Sequence, residues 1–248
     1  MLAAERRKII TQMLQEKGTV RVADLSGRFG VSSSTIRRDL KKLEQQNIIR
    51  RSYGGATLDK EKPKPADDPL ADEKARIGQA AANLISGGET IFVGAGSTAL
   101  AVARALTGHG DLTVITNSLS VASHLAAHSK LELIVVGGLV HRASSAMTGH
   151  LAEQALQDLR ADKAILGVQG ISTPDGLTSD DLLQVQMAQS LLAAVPEVII
   201  VADHSKFGRV CTAHIAPVDR ADLIVTGREA PDSILWELAE LEVKVILA

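Results

Sequence analysis

Apolar positions change period along this chain, and each change marks a different kind of element. Between residues 3 and 17, Ile9, Ile10, Met13 and Leu14 recur at helical spacing, with Arg6, Arg7 and Lys8 on the polar side and Gly18 ending the helix. Thr19-Val20-Arg21 reads as a short extended piece. Val22, Leu25 and Phe29 mark a second helix, Val22–Phe29, followed by a Gly30-Val31 turn. In Val31–Leu40, Ser32 is a good N-cap, because its hydroxyl can accept a free backbone N–H of the first turn. Behind it Ile36, Leu40 and Leu43 make one apolar stripe at i, i+4 and i+7, while Ser34, Arg37, Arg38, Lys41 and Gln45 fall on the opposite side. A helix with an aliphatic stripe and an outer face of hydroxyls, amide and cations suits a DNA groove. The short Gly-containing turn before it is what a helix-turn-helix requires. Asn47–Thr57 then reads as two short strands around the Gly54-Gly55 bend, carrying Arg50 and Arg51. Such a hairpin is a wing, and its cations reach the phosphates that flank the bases.

Leu58–Ala71 breaks the pattern. Pro63, Pro65 and Pro69 lie in a run of Lys, Asp and Glu without apolar periodicity, so no core can form there. This divides the chain into a head at 1–57, a linker at 58–71 and a body at 72–248. Asp72-Glu73-Lys74 opens a helix to about Ile85, carrying Ala75, Ile77, Ala81, Leu84 and Ile85; it packs on the body or serves subunit contacts.

From residue 88 the pattern is strand, loop, helix, repeated. Candidate strands are Thr90–Val93, Leu112–Thr116, Leu131–Val136, Lys163–Val168, Val198–Ala202, Leu223–Thr226 and Val243–Leu247, mostly continuous β-branched runs as expected of strands buried on both faces. Between several of them lie Ala-rich helices at Thr98–Leu106, Val121–Ala127, Leu151–Leu159, Leu182–Ala193 and Asp232–Leu241. The alternation argues for an open α/β sheet, in which ligands bind at the carboxyl ends of strands. Gly94-Ala95-Gly96-Ser97-Thr98 leads straight from a strand into a helix; its glycines, free N–H groups and two hydroxyls suit an anion. The loops Thr116-Asn117-Ser118-Leu119, Gly137-Gly138, Gln169-Gly170-Ile171 and Asp203-His204-Ser205-Lys206 are expected at the same end.

Composition narrows the class. Aromatics are 2% of 248 residues against 45% apolar residues in all, so the core is aliphatic. Cys211 is the single cysteine, which excludes an internal disulfide and fits a reducing compartment. Met1–Arg7 is charged, with no visible secretory signal, and Leu131–Val140 is too short to span a bilayer. The expected location is cytoplasmic, with no membrane partner. The net charge of −2 hides an asymmetry: residues 1–58 hold 12 basic and 5 acidic groups, the remainder 15 and 24. A basic head on an acidic body indicates that one end meets a polyanion.

Glu5-Arg6-Arg7, Phe29-Gly30-Val31-Ser32, Thr35-Ile36-Arg37-Arg38-Asp39-Leu40 and Tyr53-Gly54-Gly55-Ala56 together resemble the DeoR family of bacterial transcriptional regulators. The family more often has His where Tyr53 stands. The series of body loops resembles the effector-binding domain of the same family. The resemblance implies a winged helix-turn-helix head followed by an open α/β, ribose-5-phosphate isomerase-like sensor domain. It implies that double-stranded operator DNA and a phosphorylated sugar or related metabolite are the partners. Candidate DNA contacts are Ser33, Ser34, Thr35, Arg37, Arg38 and Lys41, with Arg50, Arg51 and Tyr53 on the wing. Carried over by position, Gly94, Ala95, Gly96, Ser97 and Thr98 look like the phosphate loop. Asn117 and Ser118 look like hydroxyl or phosphate contacts, Gly138, Gly170 and Asp203 belong to neighbouring loops, and Lys206 looks like a charge partner. Many members carry an Asp-x-Gly-Thr-Thr form where this chain has Gly94–Thr98, which is closer to the isomerase loop.

Plainer readings stand beside these. Asn117 also suits a helix cap or turn, Lys206 an ordinary surface cation, and Asp203 either a turn cap or an orienting group for Lys206. His141 and Arg142 read as surface, Asp180 and Asp181 as helix-capping acids. His124 and His128 have a metal-binding spacing but no third ligand, so no metal is expected, nor any cofactor. The rival function is a sugar-phosphate isomerase with an appended head. Such isomerases carry an Asp-Gly-Ala-Asp string after a strand to supply a base. Val168-Gln169-Gly170-Ile171 has no acid there, so no catalytic residue is assigned. The expectation is a repressor of a carbohydrate-metabolism operon, acting as a homodimer or homotetramer that presents two recognition helices to successive major grooves.

Overall fold

A computed structural model describes residues 6, 7, 9–11, 13, 14, 19–45, 49–52, 54–58, 68–128 and 130–248; the side chains of residues 44, 45, 49–52, 57, 58 and 128 are outside the description. The chain forms two compact units, Met1–Asp68 and Pro69–Ala248.

In the first unit, helix α1 has described residues 6, 7, 9–11, 13 and 14. Strand β1 (Thr19–Arg21), helices α2 (Val22–Phe29) and α3 (Ser33–Gln45), and strands β2 (Ile49–Ser52) and β3 (Gly55–Leu58) follow. The strands form an antiparallel sheet in the order β1-β3-β2. The expected wing hairpin is present, and the extended Thr19–Arg21 piece joins it as a third strand. Gly54 turns the hairpin at φ 87. Gly55 lies opposite Arg21 so close to the Val20 carbonyl that a Cβ there would collide with it. Ile10, Leu14, Val20, Val22, Leu25, Ile36, Leu40, Leu43 and Ala56 form the core. Gly30, left-handed at φ 64, ends α2, and the Val31 N–H reaches back to the Ser26 carbonyl at 3.3 Å.

The second unit opens with α4 (Ala71–Ala82), β4 (Thr90–Val93), α5 (Ser97–Ala105), β5 (Thr113–Thr116), α6 (Leu119–His128) and β6 (Glu132–Val135). A small hairpin, β7 (Leu139–His141) and β8 (Ala146–Thr148), precedes α7 (His150–Asp158) and β9 (Lys163–Gly167). Then come β10 (Gly170–Ser172), β11 (Gly176–Ser179), α8 (Leu182–Ala194), β12 (Glu197–Val201), β13 (Ala213–Ala216), β14 (Leu223–Thr226), α9 (Asp232–Glu240) and β15 (Val245–Leu247).

Each apolar run expected to be a strand lies in one parallel, seven-stranded sheet of order β15-β14-β12-β9-β4-β5-β6. Alternate residues serve opposite faces. Ile91, Val93, Val114, Ile165, Ile199, Val201 and Val225 pack with Ile77 of α4 and Val102 of α5; Phe92, Ile115, Leu166, Ile200 and Ile224 pack with Leu191 of α8 and Leu238 of α9. Gly78 lets α4 rest on α5: a Cβ there would come within 2.6 Å of the Ala101 backbone. Both helices run antiparallel to β4, so their N-termini lie side by side at the carboxyl end of the sheet.

Strands β7, β8, β10, β11 and β13 were not expected from the sequence. They are three or four residues long and rich in Gly, Ser, Thr and His, so they have no apolar run to reveal them. β10, β11 and β13 form a separate antiparallel sheet. The sheet order reverses between β4 and β9: β5 and β6 extend one way, β12, β14 and β15 the other. At such a switch point the loops leave on opposite faces and open a crevice.

Candidate functional site

Ser32 caps α3 as expected. Its carbonyl accepts the N–H of Ile36 at 3.2 Å and its Oγ that of Thr35 at 3.3 Å, while Oγ also bonds the hydroxyls of Ser34 (2.8 Å) and Thr35 (2.9 Å). Ile36, Leu40 and Leu43 are buried; Ser33, Ser34, Arg37, Arg38 and Lys41 are exposed and Thr35 half-buried. One face of the helix therefore carries hydroxyls at its N-terminus and cations along its middle. Arg50 and Arg51 lie on β2, but their side chains, and the whole of Tyr53, lie outside the described residues.

One expectation for the head is overturned. Arg6, placed on the polar side of the first helix, is 6% exposed, and its Nε lies 2.6 Å from Oδ2 of the buried Asp39, with Arg7 at 3.6 Å from Oδ1. A buried guanidinium beside a buried carboxylate is tolerable because each satisfies the other. The pair ties α1 to α3 and explains why an acid stands in an otherwise basic string. Lys8 lies outside the described residues.

In the body, the loop after β4 holds Gly94, Ala95, Gly96, Ser97 and Thr98. Gly96 has φ 133 and no side chain caps α5, leaving the first-turn N–H groups without a side-chain acceptor. Gly96 and Ser97 are exposed, Thr98 buried. After β5, Asn117 is 3% exposed; its Nδ2 donates to the Met147 carbonyl at 3.3 Å, while Oδ1 has no partner. Ser118 Oγ accepts the N–H of Val121 at 3.3 Å and so caps α6.

After β12, Asp203 is fully buried. Its Oδ1 accepts from the N–H of Ser205 at 3.1 Å and from the Ser205 hydroxyl, and its Oδ2 faces Lys74 Nζ at 3.5 Å and Lys206 Nζ at 3.9 Å. Asp203 thus caps its own turn and also holds Lys206. Beside it Glu73, 4% exposed, accepts the backbone N–H of His204 and meets His204 Nδ1, each at 2.7 Å. In the sequence, Asp72-Glu73-Lys74 reads only as a helix start. The signal available was two ionisable side chains on the inner face of a helix that otherwise buries Ile77 and Ala81.

The two outlying glycines have packing reasons. A Cβ on Gly138 (φ 113) would come within 2.7 Å of the Thr148 carbonyl, and one on Gly170 would collide with the Arg209 carbonyl and the Thr178 hydroxyl. Asp181 caps α8 as its position suggested, accepting from the N–H groups of Leu183 (3.1 Å) and Gln184 (3.3 Å). Burial opposes its ionisation, but hydrogen bonds from the Gln184 side chain and backbone, with His141 nearby, hold its carboxyl below the usual range. Asp180 does not cap: it accepts from the backbone and hydroxyl of Thr212 and pairs with Arg209 at 3.1 Å, which lower its pKa in that order. His141 reaches Asp181 at 3.0 Å, and Arg142 is exposed. The side chain of His128 lies outside the description. Among the described residues no three His, Cys, Asp or Glu side chains form a metal-binding group, and no helix is long and apolar enough to cross a membrane.

At the switch point a cavity of about 30 Å³ opens between the β4 loop and α8. Gly94, Ala95 and Asn117 line it from the sequence-derived set; Ser179 of β11 and Gln184 of α8 line it unforeseen.

Two family descriptions match this architecture: a DeoR-like helix-turn-helix domain over residues 6–62 and a DeoR C-terminal sensor domain over residues 70–228. The glycerol-3-phosphate regulon repressor of Escherichia coli (strain K12) is 32% identical over 100% of this chain and 100% of that protein. The HTH-type transcriptional regulator GolR of Listeria innocua is 31% identical over 99% of each chain. The HTH-type transcriptional repressor CsqR of E. coli K12 is 30% identical over 96% of this chain and 93% of that one. Among solved structures, ribose 5-phosphate isomerase A of Methanocaldococcus jannaschii aligns over 56% of this chain and 55% of that chain, with 18% identity and a TM-score of 0.42. With both family domains in order along one chain, and relatives matching end to end, this protein belongs to the DeoR family of helix-turn-helix transcriptional regulators and is a regulator rather than an enzyme.

Proposed function

We propose that this regulator is a cytoplasmic repressor of a carbohydrate-metabolism operon, and that a phosphorylated sugar or related metabolite bound in the body alters its grip on operator DNA. The head at 1–57 reads DNA, with Ser33, Ser34, Thr35, Arg37, Arg38 and Lys41 entering the major groove and Arg50, Arg51 and Tyr53 on the wing. The linker at 58–71 joins it to the sensor at 72–248. In the sensor, the α5 N-terminus with Gly94–Thr98 takes the phosphate, Lys206 and Asp203 supply charge and its orientation, and Asn117 contacts a hydroxyl. Ser118, Gly138 and Gly170 shape the loops around it. A homodimer or homotetramer sets two α3 helices at the spacing of successive major grooves. The effector acts by binding one arrangement of the heads better than another.

The observation that carries this reading is the uncapped N-terminus of α5 at the switch point of a parallel sheet whose strand β12 is followed by the Lys206–Asp203 pair. That the E. coli relative is named for the glycerol-3-phosphate regulon supports a phosphate-bearing signal.

The sensor half is tested by thermal shift of the full chain against a panel of phosphorylated sugars and polyols, since a ligand that binds only the folded state raises Tm. A hit is expected, and Lys206→Ala should blunt the response to it while leaving DNA affinity unchanged. A Lys206→Ala protein that responds at the same concentration removes Lys206 from the site. The DNA half is tested with a duplex selected from a random-sequence library. Arg37→Ala with Arg38→Ala should weaken binding and flatten its salt dependence by about 0.9 in log–log slope for each phosphate no longer neutralised. Unchanged affinity excludes α3 as the reading helix.

A further inference from the structure

The cavity at the switch point has a chemistry of its own. Gly94 and Ala95 belong both to the loop that opens α5 and to the cavity wall, so the proposed phosphate loop borders the cavity. At about 30 Å³ it has room for a hydroxyl or a hydroxymethyl group, given that a water-sized group needs roughly 10–15 Å³ of such space. Asn117, a polar group of its lining, is buried. Because Nδ2 donates to the Met147 carbonyl, the atom left over is Oδ1, an acceptor. Turning the amide round would set two carbonyl oxygens against each other, so the acceptor identity follows from the surroundings. A buried acceptor without a donor is costly, and a ligand hydroxyl relieves that cost.

Two other lining residues, Ser179 and Gln184, supply the complement. Ser179 Oγ accepts the N–H of Asp181 at 3.2 Å, which leaves its O–H to donate. Gln184 is held in place by its own bond from Nε2 to Asp181 Oδ2 at 2.9 Å. None of the residues lining the cavity is charged, and the carboxylate of Asp181 stands behind Gln184, bonded to its amide. An unpaired acceptor, a neutral wall and a carboxylate behind it suit a neutral hydroxyl and oppose a second phosphate, whose desolvation nothing here offsets.

We propose that this cavity recognises the unphosphorylated end of the effector, with Asn117 accepting from its terminal hydroxyl and Ser179 donating to it, so that the protein responds to monophosphates and rejects bisphosphates. Asn117, Ser179 and Gln184 are then the specificity-determining residues of the sensor. The inference rests on the phosphate site proposed above at Gly94–Thr98.

The test is calorimetric titration of the full chain with glycerol, triose, pentose and hexose monophosphates, with the bisphosphate of each sugar, and with the monophosphate lacking the terminal hydroxyl. The expected result is that one monophosphate binds, and that its bisphosphate and its terminal-deoxy analogue each bind at least about tenfold more weakly. Asn117→Leu should weaken the parent ligand to the level of the deoxy analogue and make the two indistinguishable. The deoxy comparison uses the unaltered protein, so it decides the matter even if that variant fails to fold. A bisphosphate or a deoxy analogue that binds as tightly as its parent overturns the subsite and leaves the phosphate reading standing. Absence of binding by every phosphate ester overturns the phosphate reading and the subsite with it.

Discussion

The head and the body place their chemistry on opposite sides of their folds. In the head, the groups of α3 proposed to meet DNA point outward, and the core beneath them is apolar except for the Arg6–Asp39 pair. In the body, several polar groups of the candidate site are themselves buried: Asn117, Asp203, Glu73 and Thr98. An outward cation can be removed at the cost of affinity alone, whereas a buried carboxylate or amide is held by the fold and helps to hold it. DNA presents a surface to be matched, while a small metabolite has to be enclosed and desolvated before a few groups can discriminate it.

The sharpest way to break this contrast is at the buried Arg6–Asp39 pair of the head. Asp39→Ala leaves Arg6 buried without its carboxylate, a change that typically costs about 3–5 kcal/mol. The head should lose its cooperative transition in a calorimetric scan while the body keeps its own. Arg37→Ala, on the outer face of the same helix, should leave both transitions in place. Equal behaviour of the two variants would mean that the inner and outer faces of α3 do not differ as described.

A smaller effect is expected where α4 crosses α5. Gly78→Leu forces a side chain against the Ala101 backbone and should destabilise the body by about 1–3 kcal/mol, as overpacking does. Because the first turn of α4 holds Asp203 and His204 through Lys74 and Glu73, the same variant should bind its effector more weakly. Urea denaturation and titration of one preparation separate the two effects.

The smallest concerns the cap of α8. Asp181→Ala removes the acceptor for two first-turn N–H groups and should cost about 1 kcal/mol. The native carboxyl titrates below its ordinary value of 3.8, so its stabilisation is fully present above that pH and is lost as pH falls through the lower native value. The gap in stability between wild type and variant should therefore be constant near neutrality and close in strong acid. A gap that persists there would assign the effect to packing instead.

The strands of the parallel sheet were legible because a strand buried on both faces must be a continuous apolar run, as Val198–Ala202 and Leu223–Thr226 are. The short strands of the second sheet were not, since Gly176-Leu177-Thr178-Ser179 is buried by what folds over it and not by its own hydrophobicity. Helix α3 was legible because its stripe, its cap and its cations are all local. Arg6 was misplaced for the complementary reason: periodicity reports which residues prefer water, and a buried Arg lies there only because Asp39 arrives from another helix. Ser179 and Gln184 gave no signal, being ordinary residues of a strand and a helix until the fold brings them into one cavity lining with Asn117.

By itself, then, the sequence determined the order of the domains, the class of each, the outward face of α3 and the glycine loop before α5, because short-range periodicity and composition carry those. The tertiary structure decided which distant polar groups pair: Arg6 with Asp39, Glu73 with His204, Lys74 with Asp203, and which of them line the cavity with Asn117. The reason is range. The energy of a buried polar group depends on the partner that replaces water, and that partner comes from wherever the fold brings the chain back.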